Sequence, residues 1–323
     1  TRWLATVAEL EREAAAPVSV RVAPWDPAQI LYTSGTTGRP KGVAATHANL
    51  TYGATTHPKR RRLAHSDHFL HAFPVGTNAG QTMLLNALDA RPTALTLPHF
   101  TPARFARLLA AYRVGSVFLV PAMAIELLSS GALDGHDTTG VQLLGSTAAP
   151  LPPAVAQALA RAFPNAAIVN YYTSTEAAPA YVSMIFDPER PTALGRPAGG
   201  ELMIAGEDGR PLPPGAVGEV CLRAPFTRSY YRDEHATRQV FRDGWVRMGD
   251  VGRLDEDGYL YLVDRHQDVI KSGAFKVSTV QVEAALHEHP DVLEAAAIGV
   301  PHPVLGDVVG AALVTREPID LPA

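Results

Sequence analysis

A single cysteine, Cys221, stands in 323 residues, which excludes an internal disulfide framework and a cysteine zinc cluster. That usage fits a reducing compartment, and a cytoplasmic location is expected. An excess of positive charge is missing as well. The 28 Lys and Arg against 32 Asp and Glu leave a formal charge of -4 and a pI near 6.3. No basic field draws such a chain to nucleic acid or anionic lipid, and the triplet Arg60 to Arg62 reads as a solvated turn. No apolar run approaches the roughly 20 residues that span a bilayer. The opening TRWLATVAELERE lacks the charged-then-apolar order of a signal peptide, so a soluble chain is expected. An initiating methionine is lacking too, and the last residues, TREPIDLPA, stop just after a strand-like run. A fragment at both ends is expected. Internal repeats and low-complexity stretches are missing.

What is present suits a sizeable core, with 46% hydrophobic and 19% charged residues over a length that allows two domains. After a polar lead-in to Pro27, short apolar runs alternate with amphipathic ones, the pattern of a parallel sheet flanked by helices. TPARFARLLAAYR predicts a helix with Thr101 as N-cap, Pro102 at its first position, and Phe105, Leu108, Leu109 and Tyr112 at helical spacing. SVFLV predicts a buried strand, and VQLLG, PPAVAQALARAF and AAIVN repeat the order strand, helix, strand. From about Glu201 the texture changes to ELMIA, GEVCLRA and YLYLV, separated by EDGRPLPPG and DEDG, which predicts a small antiparallel β module. Ser278 with Gln281 opens a last helix through His287, followed by strands at Val292 to Val300 and Val308 to Val314.

The chemistry concentrates first in YTSGTTGRPKGV, directly after the strand-like QILY. Thr33, Ser34, Gly35, Thr36 and Thr37 are all hydroxyl-bearing or glycine, and Gly38 and Lys41 come next. Glycines let backbone N–H groups turn toward an anion without a Cβ penalty, hydroxyls add donors, and the lysine adds positive charge. Such a loop can wrap phosphates. Its spacing is not the Walker A pattern, so a kinase-type loop is disfavoured.

YTSGTTGRPKG resembles the signature of the adenylate-forming superfamily: acyl- and aryl-CoA ligases, peptide-synthetase adenylation domains and firefly luciferase. The resemblance continues in the family's order through GSTAAPL, NYYTSTEA, GEVCLRAPFTRSYYRDEHAT, DGWVRMGDVG and YLVDRHQDVIKSGAF. It implies an α/β fold: a large adenylate-forming domain over residues 1–265, incomplete at its N-terminus. The α/β layer would run to about residue 200, with the β module over about 201–265. A truncated α+β C-terminal domain over 266–323 would come last.

The resemblance further implies ATP and Mg²⁺, with CoA or phosphopantetheine as acceptor, a small-molecule carboxylic acid as substrate, and an acyl or aryl carrier protein as a candidate partner. Thr33, Ser34, Thr36, Thr37 and Lys41 would hold the β- and γ-phosphates, Tyr172 would stack on adenine, Thr175 would contact the α-phosphate, and Glu176 would hold Mg²⁺. Asp250 would accept from the ribose hydroxyls and Arg265 would complete the ribose and phosphate contacts. Gly145, Ser146 and Thr147 would line adenine on one side and the acid pocket on the other. Relatives also carry a lysine near the end of the mobile domain, and no matching Pro-x-x-x-x-Gly-Lys segment comes after Val314. These 323 residues are therefore expected to bind nucleotide better than they turn it over.

The acid pocket is expected at Phe73, Val75, Asn78, Ala79, Thr147, Ala148 and Thr173. Relatives that activate amino acids usually place an aspartate near the position of Asn78, to pair with the α-ammonium. An amide there cannot compensate a buried ammonium, so an aryl acid is preferred, unless Asn78 merely caps a helix starting near Ala79. The departures from the family pattern are Thr173 after the stacking tyrosine, Gly76 or Thr77 where a histidine is frequent, Gln267 before Asp268 at the hinge, and Gly273–Ala274 for a glycine pair. Cys221 reads as a buried small hydrophobe. His65, His68 and His71 have no matched second cluster for a metal. Three rival functions remain open: an amino-acid adenylation domain, a catalytically silent nucleotide-binding relative, and a luciferase-like oxygenase.

Overall fold

The computed structural model describes residues 19–33, 40–54, 63, 65–89, 92–265, 270–272, 275–289, 291–303 and 306–317. The triplet Arg60 to Arg62, the Gln267–Asp268 pair and the Gly273–Ala274 pair lie outside the described residues.

Pro27–Thr33 (β1) and Lys41–Thr46 (β2) pair antiparallel, and their register sets Thr33 opposite Lys41. The residues bounding the hydroxyl-rich segment are thus neighbours. Thr46 then caps a short helix, His47–Leu50 (α1), by accepting the Asn49 N–H at 3.2 Å.

The main layer runs in the order His68–His71 (β3), Asn78–Asp89 (α2), Thr93–Thr96 (β4), Pro102–Ala111 (α3), Ser116–Leu119 (β5), Pro121–Ser129 (α4), Leu143–Ser146 (β6), Pro153–Ala162 (α5), Ala167–Tyr172 (β7), Tyr181–Ile185 (β8) and Arg196–Ala198 (β9). These strands form one sheet in the order β4-β3-β5-β6-β7-β8-β9, parallel up to β7 and antiparallel beyond it. Helices α3, α4 and α5 each begin on a proline, whose missing N–H costs nothing in a first turn. Thr101 holds the N-cap position of α3 with an extended backbone, but its side chain makes no capping bond, so the sequence expectation holds for the position alone.

Strand side chains alternate between faces, and that alternation decides where the core and the cavity lie. Leu70, Val117, Leu119 and Leu144 pack with Phe105 and Leu109 of α3, Leu127 of α4, Leu159 of α5 and Phe163 at the α5 C-cap. Their neighbours Phe69 and Phe118 point the other way, joining Phe73 and Met83 of the α2 side in a smaller cluster.

Beyond the sheet come Glu201–Ala205 (β10), Gly218–Arg223 (β11), Ser229–Tyr230 (β12), Glu234–Val240 (α6), Phe241–Arg242 (β13), Trp245–Leu254 (β14) and Leu260–Arg265 (β15). Strands β10, β11, β14 and β13 form an antiparallel sheet with β15 on β14, as the turn-rich texture predicts. Cys221 is buried in β11, where burial first, then the Glu219 charge, pushes its thiol up to about 11, so the small-hydrophobe reading stands. β12 leaves this sheet and pairs with β2, returning the chain to the first hairpin. The last unit comprises Ile270–Ser272 (β16), Phe275–Val277 (β17), Thr279–Leu286 (α7), Val292–His302 (β18) and Gly306–Thr315 (β19), in the sheet order β17-β16-β19-β18. Ser278 caps α7 through the Gln281 N–H at 3.2 Å. Among the described residues no helix is long and apolar enough to cross a membrane.

Candidate active site

Three strand ends and one crossover meet at the carboxyl edge of the parallel strands, where α/β sheets bind ligands. Thr33 ends β1, and its hydroxyl donates to Glu176 Oε1 at 3.4 Å. Tyr230, brought in by the pairing of β12 with β2, donates its hydroxyl to the same oxygen at 3.0 Å. Lys41 Nζ stands 5.1 Å from the centre of the Tyr230 ring. Burial first, and then the Glu176 charge, holds the Tyr230 phenol above its usual range, so it is a donor throughout the physiological range. Thr33, Lys41, Tyr230 and Glu176 therefore form one cluster of hydroxyls, a cation and a carboxylate. Ser34, Gly35, Thr36, Thr37 and Gly38 lie outside the described residues.

At the end of β7, Tyr172 donates its hydroxyl to Asp250 Oδ2 at 2.6 Å. Asp250 is buried on β14, and the β14–β15 register sets it opposite Arg265, whose side chain lies outside the described atoms. Gly145 and Ser146 end β6, with Thr147 next. A Cβ on Gly145 would sit 2.8 Å from Phe118 Cδ1 and 3.0 Å from Tyr171 Cε2. Only a hydrogen fits between those rings. Gly145→Ala is expected to push one ring into the adjoining cavity, lowering affinity for the acid about tenfold with AMP affinity within about threefold of wild type. Equal losses for both ligands in parallel titrations would mean that Gly145 serves the fold and not the pocket wall.

That cavity encloses about 410 Å³ between α2 and the sheet. Phe73, Asn78, Ala79, Thr147 and Thr173 line it, together with Thr82, Met83, Phe118, Tyr171 and Pro179. Val75 and Ala148 are not among the lining residues, and this corrects the sequence expectation for both. Val75 is 65% exposed in the turn before α2, and Ala148, also exposed, has a positive φ of 77° that carries it past the end of β6. The capping alternative for Asn78 fails as well. Asn78 is the first residue of α2, and it is the Thr77 hydroxyl that accepts the Gly80 N–H, at 3.1 Å.

Asn78 Oδ1 instead accepts from Arg228 Nη1 at 3.1 Å. Sequence reasoning missed this arginine, although it lies within the FTRSYY segment. Arg228 is only 7% exposed. Its Nε donates to Asn49 Oδ1 at 2.8 Å and its Nη1 also donates to the Thr175 carbonyl at 2.9 Å. Asn49 in turn donates to the carbonyls of Ala178 and Phe226, at 2.9 and 2.7 Å. Burial lowers the guanidinium to about 10 while the nearby Glu176 charge works against that, so Arg228 stays a cation at neutral pH.

Glu176 also supplies the test of fit for Mg²⁺. Among the described residues no cluster of three His, Cys, Asp or Glu side chains exists, so a cage made wholly of protein ligands is not on offer. A single carboxylate with one oxygen engaged by two hydroxyls and the other without a partner among the described residues suits a hard cation that takes its remaining ligands from phosphate and water. The donor set fits.

Residues 2–231 match the model of the family described as AMP-binding enzyme, and residues 281–322 match that of the AMP-binding enzyme C-terminal domain. The chain belongs to the AMP-binding enzyme family. The resemblance read from the motifs is thereby borne out. The chain is 34% identical over 299 residues to the sulfoacetate–CoA ligase of Cupriavidus necator, covering 91% of this chain and 58% of that ligase. The structure of the amide bond synthetase McbA from Marinactinospora thermotolerans superposes with a TM-score of 0.83 at 33% identity, covering 96% of this chain and 63% of that one. The o-succinylbenzoate CoA synthetase MenE from Bacillus subtilis, solved with ATP and magnesium, gives 0.83 at 28% identity, covering 97% and 66%. The chain thus spans less than two thirds of each of these relatives.

Proposed function

We propose that this AMP-binding chain is the core of an AMP-forming acid–thiol ligase, which converts a carboxylic acid to its acyl-adenylate and passes the acyl group to a thiol. The observation that carries this reading is the continuity of the site. Arg228 on the cavity wall bonds the Thr175 carbonyl, and Glu176, next in sequence, bonds Tyr230 beneath Lys41, so an acid in the cavity can present its carboxylate toward the place where phosphates would lie. One carboxylate oxygen attacks the α-phosphorus, that P–O bond forms, the bond to pyrophosphate breaks, and the electron pair leaves with pyrophosphate. No proton moves, because the acid enters ionised.

Lys41 would place positive charge against the departing phosphates, the Thr175 hydroxyl would donate to an oxygen of the α-phosphate, and Glu176 would hold Mg²⁺. When bound, Mg²⁺ would neutralise charge developing on the phosphate oxygens. Tyr172 and Asp250 would fix the adenosine. CoA is the proposed acceptor, by analogy with the sulfoacetate–CoA ligase; a carrier-bound phosphopantetheine is tested by the same thioester assay.

An aryl acid is the proposed substrate class. The cavity is lined by the rings of Phe73, Phe118 and Tyr171, with Asn78 and Thr82 of α2 as polar neighbours, which suits a planar ring carrying a hydrogen-bonding substituent. An α-amino acid is disfavoured, because an ammonium at Asn78 would meet the Arg228 guanidinium, 3.1 Å from the amide oxygen. ATP–pyrophosphate exchange across benzoates, hydroxybenzoates, short fatty acids and amino acids tests both points. Exchange is expected with the ring acids. Preference for α-amino acids would overturn the substrate class, and exchange with no acid by the full-length protein would overturn the adenylation reading.

A further inference from the structure

Arg228 is the single arginine or lysine among the described residues that line the cavity, and its setting is unusual for a buried charge. Its hydrogen bonds run to two amide oxygens and a backbone carbonyl, all neutral. Among the described residues no carboxylate is ion-paired with it, and its Nη2 has no hydrogen-bond partner. The nearby Glu176 charge supports the cation without forming an ion pair with it, and a buried guanidinium hydrogen-bonded to neutral acceptors with one arm free is shaped for an oxyanion.

The position selects which oxyanion. Arg228 is tied on one side to Asn78, at the start of α2, and on the other to the carbonyl of Thr175, the residue before Glu176. It therefore stands between the cavity it lines and the phosphate cluster, and the cavity wall also carries the apolar Met83 and Leu143 together with His65 and Asn86. Asn49, itself 1% exposed and anchored on two backbone carbonyls, holds Nε and so fixes the plane of the guanidinium.

Resting on the adenylation reading above, we infer that Arg228 binds the reacting carboxylate of the acid, forming an anion subsite between the cavity and the nucleotide. Arg228 takes one carboxylate oxygen and leaves the other facing the α-phosphorus. The subsite also selects for charge, since an amide or alcohol of the same shape leaves the guanidinium unpaired.

The test compares benzoate with benzamide, and butyrate with butyramide, by calorimetric titration without nucleotide on wild type, Arg228→Gln and Arg228→Lys. Wild type is expected to prefer each acid over its amide by at least about tenfold. Arg228→Gln should remove that preference while binding the amides within about threefold of wild type, and Arg228→Lys should keep part of it. Wild type binding acid and amide alike would overturn the inference without recourse to any variant. So would an Arg228→Gln protein that keeps the preference, or one that loses acid and amide equally. Pyrophosphate exchange by the full-length protein separates the two levels: exchange with an acid whose preference over its amide survives Arg228→Gln removes the Arg228 subsite and leaves the adenylation reading standing.

Discussion

Asp250→Ala is expected to lower affinity for AMP about 100-fold, the largest effect of any single change on the nucleotide side. Asp250 is buried on a central strand of its sheet and faces the ring of Tyr172, whose hydroxyl it accepts at 2.6 Å. Two ribose hydroxyls donating to a buried carboxylate contribute about 1.5–3 kcal/mol each, and their joint loss is on the order of 100-fold or more. Tyr172→Ala should also weaken AMP binding, about tenfold, through the lost stacking surface. Tyr172→Phe keeps the ring and removes only the bond to Asp250, so its loss should be the smallest of the three. Isothermal titration of AMP into each variant decides the matter. Affinity unchanged in both Asp250→Ala and Tyr172→Ala would remove the adenosine from this corner.

The sheet and the grouping of the candidate site residues were legible in the sequence because their signals are local. Pro102 and Pro153 mark helix starts, the fully buried SVFL reads as a strand with both faces covered, and Tyr172, Thr175 and Glu176 lie within five residues of one another, whereas sequence reasoning missed the helix at Pro121. The features that sequence hid depend on distant pairings. Arg228 reaches Asn78 across 150 positions and Asn49 across 179, and only the pairing of β12 with β2 brings Tyr230 to Glu176. An arginine in FTRSYY looks like a surface residue until that crossover is known. Val75 and Ala148 show the opposite case, in which neighbours in sequence are not neighbours in space. The turn before α2 and the positive φ at the end of β6 carry both side chains away from the cavity.

The coupling of Asn78 to Arg228 changes what the most obvious specificity swap should do. Placing an aspartate at position 78 would, by analogy with amino-acid-activating relatives, be expected to recruit an α-ammonium. Here the new carboxylate would lie about 3 Å from Nη1, where Asn78 Oδ1 now accepts at 3.1 Å, and would pair with the guanidinium. That pair is buried and internal, so it would occupy the anion subsite before any acid enters. Asn78→Asp is therefore expected to weaken benzoate binding at least about 30-fold and to gain no α-amino acid. Benzamide, which does not call on the cation, should change little. Asn78→Ala removes one neutral acceptor and leaves the cation in place, so its loss for benzoate should stay below about tenfold. The double change Asn78→Asp with Arg228→Gln frees the introduced carboxylate, and it alone should bind an α-amino acid such as phenylalanine better than wild type does. Titration of benzoate, benzamide and phenylalanine into these variants reads all three effects. A single Asn78→Asp protein that gains phenylalanine while keeping benzoate would show that the guanidinium and the amide act independently, and the charge-coupled picture of the cavity mouth would have to be given up.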